Sequence, residues 1–252
     1  DKLPKGHRNQ PFRENCLADK LKGDFEIRNR ILLSLRPEAC AYLQPRLITK
    51  RLSPGQVIYD NEASFTHAVF PHEGVISLQA EMRDKRSVEK ASIGYEGFIG
   101  MALVMGGGGA LSRSTVVVPG YASWLSIGDL DDAIAGFPCV RNAMLRYAKC
   151  LIIQLLESVA CNSLHNAEER ISRWLLDARD RVVGDSFQLT QSAISEALGL
   201  RRATVNGACS RLMEEGAIAY ARGNLTVLDP GIIENHACEC YGRIRRAFQR
   251  NF

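Results

Sequence analysis

The sequence predicts an α+β protein in three parts: an N-terminal sheet folded as a roll or sandwich, one long helix, and a C-terminal winged helix-turn-helix. Three observations predict it. Short runs rich in β-branched residues recur between turn signals from Leu47 to Ile127. The apolar period becomes helical from Leu130 to Ala160. Two short helical runs separated by a glycine then lead into a hairpin between Leu189 and Leu228.

The chain has 252 residues, 46% of them hydrophobic and 24% charged, with a net charge of +4. That is ample apolar material for a core, and it excludes a mainly disordered or collagen-like chain. No apolar run approaches the roughly 20 residues of a membrane helix. Asp1–Lys22 is polar, carries Pro4 and Pro11, and lacks the apolar core of a secretory signal. The eight cysteines are scattered rather than paired, so free thiols in the cytoplasm are expected.

Residues 1–23 read as a lead-in and 24–130 as the sheet domain. Within the latter, Phe25, Ile27, Ile31, Leu32 and Leu35 give one or two short helices that Pro37 limits. Strands are expected at Leu47–Leu52, Gln56–Tyr59, Ala68–Phe70, Val75–Ala80, Ser87–Ile93, Ser114–Val118 and Ala122–Ile127. Turns are expected at Glu73-Gly74, Glu96-Gly97, Gly106–Gly109 and Pro119-Gly120, among others.

Residues 131–161 read as one long helix, with Pro138 suited to its first turn. Val140, Met144, Tyr147, Leu151, Leu155 and Val159 form an apolar stripe along a helix roughly 35 Å long. Two readings fit: a core helix lying on the sheet, or a coiled coil between two subunits. Residues 162–252 form the last domain, beginning with an amphipathic helix over Asn162–Val183 that carries Ile171, Trp174, Leu175 and Leu176.

Thr190 is a good N-cap for a helix over Gln191–Leu198. Gly199 suits the left-handed turn that follows. A second helix runs from Arg201 to Glu215, with Val205, Ala208, Cys209 and Leu212 inward. Its outer face carries Arg201, Arg202, Thr204, Asn206, Ser210 and Arg211. Arginine can bond guanine O6 and N7 together, asparagine can do the same for adenine, and hydroxyls reach phosphates. Arg222-Gly223-Asn224 marks the tip of a hairpin, a wing that places Arg222 near a phosphate. Double-stranded DNA is the expected partner. The plain alternative for this face is an ordinary solvated helix surface.

These residues resemble the CRP/FNR family of transcription regulators. The likeness runs through Leu-Thr-Gln-x-x-Ile-x-x-x-Leu-Gly-Leu-Arg-Arg-x-Thr-Val at 189–205, Arg-Leu-x-Glu-Glu-Gly at 211–216 and Arg-Gly-x-Leu-Thr-Val-Leu at 222–228. Cys161–His165, Glu169–Leu176 and the tail Ala237–Tyr241 are similar too, the last to an alphaproteobacterial branch. The resemblance implies a β-roll sensor of the cyclic-nucleotide-binding jelly-roll type and a homodimer formed through the long helix. It implies two half-sites about 34–36 Å apart, with RNA polymerase a candidate partner and no membrane partner. Val140, Met144, Tyr147, Leu151 and Leu155 become the expected dimer seam. Arg202 falls at the guanine-reading position and Thr204 at a phosphate-contacting one, while Thr190 and Gln191 open the first helix of the motif. Ala203 and Gly207 depart from the family's glutamate and arginine, so the operator should differ from the family's best-known one.

The same resemblance marks Gly100, Met101, Ala102, Arg113 and Ser114 as the effector-pocket candidates. Met101 stands where cyclic-nucleotide binders carry a ribose-binding glutamate, a loss worth roughly 1–3 kcal/mol. The effector is therefore left unknown, with a cyclic-nucleotide-responsive regulator as the alternative. An iron–sulfur sensor lacks its cysteines, since only Cys16 lies near the N-terminus. His67 and His72 are the only haem candidates in the roll and read better as structural residues. His236-Ala237-Cys238-Glu239-Cys240 offers three ligands in five residues, but helix packing by small thiols is the expectation. No metal and no cofactor is expected. Without a Gly-x-Ser-x-Gly elbow, an HExxH or a dinucleotide fingerprint, no enzyme is expected either. A roll acting only through protein contacts is the remaining alternative; such a module would need no Arg-Arg-x-Thr-x-Asn series or basic wing.

Overall fold

The computed structural model describes residues 25–84 and 86–252. The lead-in expected over 1–23, with Cys16, lies outside the described residues. Two short helices, α1 (Arg30–Leu33) and α2 (Pro37–Leu43), precede five strands: β1 (Ile48–Leu52), β2 (Val57–Tyr59), β3 (His67–Glu81), β4 (Ser87–Ile93) and β5 (Arg113–Ser126). The strands pair antiparallel in the order β1-β5-β3-β4, with β2 also on β5.

Four of the expected strands merge into two. Glu73-Gly74 and Pro119-Gly120 do not reverse the chain. They are where β3 and β5 bulge against each other, with register shifts between Pro71 and Ile76. A Cβ on Gly74 would stand 2.6 Å from the Val118 carbonyl oxygen, and one on Gly120 2.1 Å from that of Glu73. Glycine is required because the two backbones touch, and the bulges bend the sheet into a roll.

Two helices follow, α3 (Ile127–Gly136) and α4 (Pro138–Leu164), so the segment 131–161 contains the end of one and most of the other. Pro138 opens α4 as expected. The expected dimer seam is corrected here. Val140, Met144, Tyr147 and Leu151 are buried in the chain's own first core, and Leu155 packs against it. The roll offers an apolar face for them. The Tyr147 ring lies 5.5 Å from that of Phe98, over Gly97, where a Cβ would meet it at 2.2 Å. The adjoining face of α4, about 100° round the helix, leaves Ile152, Leu156 and Val159 exposed, at 42%, 66% and 67%.

The expected helix over 162–183 is shorter and starts later. Asn166 accepts from the Glu168 and Glu169 amides, and Glu169 reaches back to the Asn166 amide. That capping box opens α5 (Ala167–Arg179) after α4 has ended. The rest comprises β6 (Ser186–Gln188), α6 (Gln191–Leu198), α7 (Arg202–Glu214), β7 (Ile218–Ala221), β8 (Asn224–Val227), α8 (Pro230–His236) and α9 (Cys240–Gln249). A second core gathers around Trp174 and includes Val75 and Val118 from the roll. Helix α9 returns to α4, placing Ile244 and Phe248 in the first core. Among the described residues no helix is long and apolar enough to cross a membrane.

Candidate nucleic-acid interface

Helices α6 and α7 are held as one unit by local bonds. The Thr190 hydroxyl accepts from the Ala193 amide at 3.1 Å and caps α6. Gly199 ends it at φ 63°, in the left-handed region. Across the turn, the Leu200 amide donates to the Ser195 carbonyl (3.0 Å), and the Ser195 hydroxyl donates to the Leu200 carbonyl (2.6 Å). Ile194, Ala197 and Leu198 of α6 and Val205, Ala208, Cys209 and Leu212 of α7 share the second core. Burial pushes the Cys209 thiol up to about 11, which makes it an inert packing group.

Arg201, Arg202, Ala203, Thr204 and Asn206 are exposed together on the first two turns of α7. Ser210 is half-buried and donates to Asn206 Oδ1 at a long 3.5 Å. Arg211 stands apart from this group. Its guanidinium bonds Glu168 of α5 and holds that carboxyl below the usual carboxylate range. Glu168 also faces His236 at 3.4 Å, and His236 meets Glu215 at 2.6 Å. Arg211 therefore fastens α7 to α5, a role its place on the outer face did not suggest.

The wing is a three-stranded sheet, β6-β8-β7, and its first strand was not legible in the sequence. Arg222 and Gly223 form the turn, both with positive φ (51° and 82°), and Asn224 already pairs with Ala221. Two positive-φ residues match the twist of a hairpin. Arg222 is exposed at the tip, on a conformation that costs a non-glycine residue about 1–2 kcal/mol.

The motif is docked on the roll. Thr190, Ser192, Ala193 and Glu196 line a cleft of about 310 Å³ whose other wall includes Gln79 and Thr115–Val117. Gln191, half-buried, opens α6 beside them. Buried Arg181 bridges the parts: Nε donates to Glu96 Oε1 at 3.0 Å and Nη1 to Ser92 Oγ at 2.7 Å. Burial opposes that charge, but Glu96 and Asp177 outweigh it and raise the pKa. Trp174 Nε1 donates to Glu89 Oε1 at 3.1 Å.

Of the effector-pocket candidates, Gly100, Met101, Ala102 and Ser114 line one apolar cavity with Ile93 and Phe98. Arg113 does not. Strand alternation turns it outward to Asp60 (3.2 Å) and Glu81 (3.8 Å), while Ser114 turns inward and accepts from the Tyr59 amide. The cavity holds about 40 Å³, far below the roughly 300 Å³ at which ligand pockets begin. His72 is fully buried. Its Nδ1 accepts from the Arg28 and Asn29 amides, and Nε2 meets the Ser123 hydroxyl at 2.7 Å, which leaves no nitrogen for haem. His67 bonds Thr66 on the surface. His236 does not join Cys238 and Cys240; those thiols lie instead beside Cys161 and His165.

The Crp-like helix-turn-helix domain family matches residues 169–234. No curated protein matches the sequence. Among solved structures the chain is similar to FixK2 from Bradyrhizobium japonicum, at 15% identity over 76% of this chain and 98% of that one, with a TM-score of 0.65. It is similar to a CRP-family transcriptional regulator from Thermus thermophilus, at 19% identity over 75% and 96%, TM-score 0.60. It is also similar to the c-di-GMP responsive global regulator CLP of Xanthomonas campestris, at 13% identity over 76% and 99%, TM-score 0.59. At these identities the likeness is one of fold.

Proposed function

We propose that this chain, a CRP/FNR-type transcription regulator by its fold and its Crp-like helix-turn-helix domain, reads a palindromic DNA operator as a homodimer under control of a signal at the roll. The carrying observation is the exposed cluster Arg201, Arg202, Thr204 and Asn206 at the start of α7, with Arg222 on the wing. Arg202 and Asn206 are the base readers. Thr204 and Arg222 contact phosphates and set the register. Arg201 adds charge at the helix start, and Ala203 leaves room there for a thymine methyl. Ser210 orients Asn206, and Thr190 and Gln191 meet the backbone once the cleft against the roll opens.

The dimer seam in this reading is the outer face of α4, Ile152, Leu156 and Val159, at steps of four and three. RNA polymerase is the further partner of a regulator of this kind, and DNA as ligand places the work in the bacterial cytoplasm. The signal has a route of packed contacts. Ile93 and Phe98 wall the cavity, and Ser92 and Glu96 on the same strand and turn hold Arg181 of the DNA-binding part. A cyclic-nucleotide effector is disfavoured by the size of the cavity, by Met101 and by the outward Arg113.

Selection of bound duplexes from a random pool tests the proposal. The expected product is a two-fold symmetric consensus with half-sites one helical turn apart. Recovery of no preferred sequence at moderate salt would refute it.

A further inference from the structure

We infer that Cys161, His165, Cys238 and Cys240 form a closed tetrahedral site for one zinc ion, tying the end of the long helix to the C-terminal tail. Cys161 lies in the last turn of α4 and His165 caps it. Four residues apart on a helix, they face the same way. Cys238 lies in the link between α8 and α9, and Cys240, on the other side of Glu239, is the first residue of α9.

The geometry suits a single ion. All four donor atoms lie within 4.8 Å of one another. Cys161 Sγ is 3.6 Å from Cys238 Sγ, and Cys240 Sγ is 3.7 Å from His165 Nδ1. Zinc bonds of about 2.3 Å to sulfur and 2.0 Å to nitrogen set the edges of their tetrahedron near 3.5–3.8 Å. An iron–sulfur cluster places its own atoms between its ligands and needs a wider cage. The donor set holds no oxygen, which removes calcium and magnesium, and thiolate with imidazole suits zinc. Four protein ligands leave no open position, so the ion is structural.

The surroundings fit as well. The three buried thiols form a cluster of their own, outside both apolar cores, so hydrocarbon packing does not account for them. His165 presents Nδ1 to the thiols while its Nε2 faces Glu239 Oε2 at 3.1 Å. A carboxylate behind the imidazole is how metal-binding histidines are oriented. Three thiolates around a divalent ion carry one net negative charge. Arg170 and Arg173 act electrostatically on Cys161 and Cys238, and each keeps a buried Nε with no hydrogen-bond partner. At this place the ion would brace the junction between α4 and the DNA-binding domain.

Elemental analysis of the full chain, purified under reducing conditions from zinc-supplied cells, should find one zinc per chain. Metal-free chain titrated with Co²⁺ should develop the charge-transfer and d–d bands of a tetrahedral thiolate site. Cys161→Ser and Cys240→Ser should lose the metal, while Cys150→Ser and Cys209→Ser keep it. His165→Cys should keep it with an all-sulfur cobalt spectrum. Glu239→Gln, which leaves every ligand in place, should weaken zinc binding roughly ten- to a hundredfold. A wild-type chain free of zinc that gives no cobalt bands overturns the inference, as does a brown iron chromophore or a Cys161–Cys238 disulfide in freshly isolated protein.

Discussion

Replacing Leu156 with aspartate separates the two faces of the long helix. Leu156 is 66% exposed in the single chain, beside Ile152 and Val159. Full burial of such a side chain is worth about 1.5–3 kcal/mol, so two-thirds of it gives about 1–2 kcal/mol per chain. A two-fold seam uses the residue twice, for about 2–4 kcal/mol, and the aspartate adds the cost of hiding a carboxylate. At 1.4 kcal/mol per tenfold, the dimer Kd should rise at least roughly 30- to 1,000-fold. Sedimentation equilibrium over a dilution series measures it, and the folded protomer should keep its circular dichroism. Leu151→Asp, five residues back on the buried face, should instead unfold the protomer, since it puts an unpaired charge into the first core. A Leu156→Asp protein that dimerises with the wild-type Kd would refute the assignment of the seam.

Three more outcomes follow from the same geometry. Arg202→Ala should cost about 1–3 kcal/mol of operator binding and relax base preference at one position per half-site, read by titration against single-base operator variants. Arg222→Gly should raise the thermal midpoint, because glycine adopts φ 51° without strain; it should also weaken binding to every duplex and reduce the salt slope by about one. His72 should make the fold acid-sensitive. Burial, with Arg28 close by, pushes its pKa down to about 4 from 6.5. The unfolded chain therefore takes up a proton below pH 6.5 that the folded one refuses until about pH 4. The neutral ring contributes about 3 kcal/mol, whole above pH 6.5 and lost as the pH falls to 4. Urea midpoints across that interval check this, and a flat profile would count against the buried Nδ1 acceptor.

The helix-turn-helix was legible because its signals are local. Thr190, Gly199 and the inward positions from Ile194 to Leu212 lie on one short stretch, and each does in the structure what its chemistry suggested. Pro138 opened the long helix, and Arg222-Gly223 turned the wing, for the same reason. What the stretch could not disclose was the company each residue keeps. Arg211 reads like its neighbours until Glu168 of another helix claims it. Arg113 and Ser114 look like a pair until strand alternation sends them to opposite faces.

The sequence by itself therefore determined the parts of this protein: a strand-rich first domain, the long helix, the two helices of the helix-turn-helix and the hairpin after them. Only the tertiary structure decided which apolar stripe of α4 meets the roll, because both stripes carry large apolar side chains and the choice depends on the apolar surface of a distant part of the chain. It also joined Cys161 to Cys238 across 77 residues. Sequence reading paired Cys238 and Cys240 with His236 instead, because a ligand set drawn from two ends of a domain exists only once the chain has closed on itself.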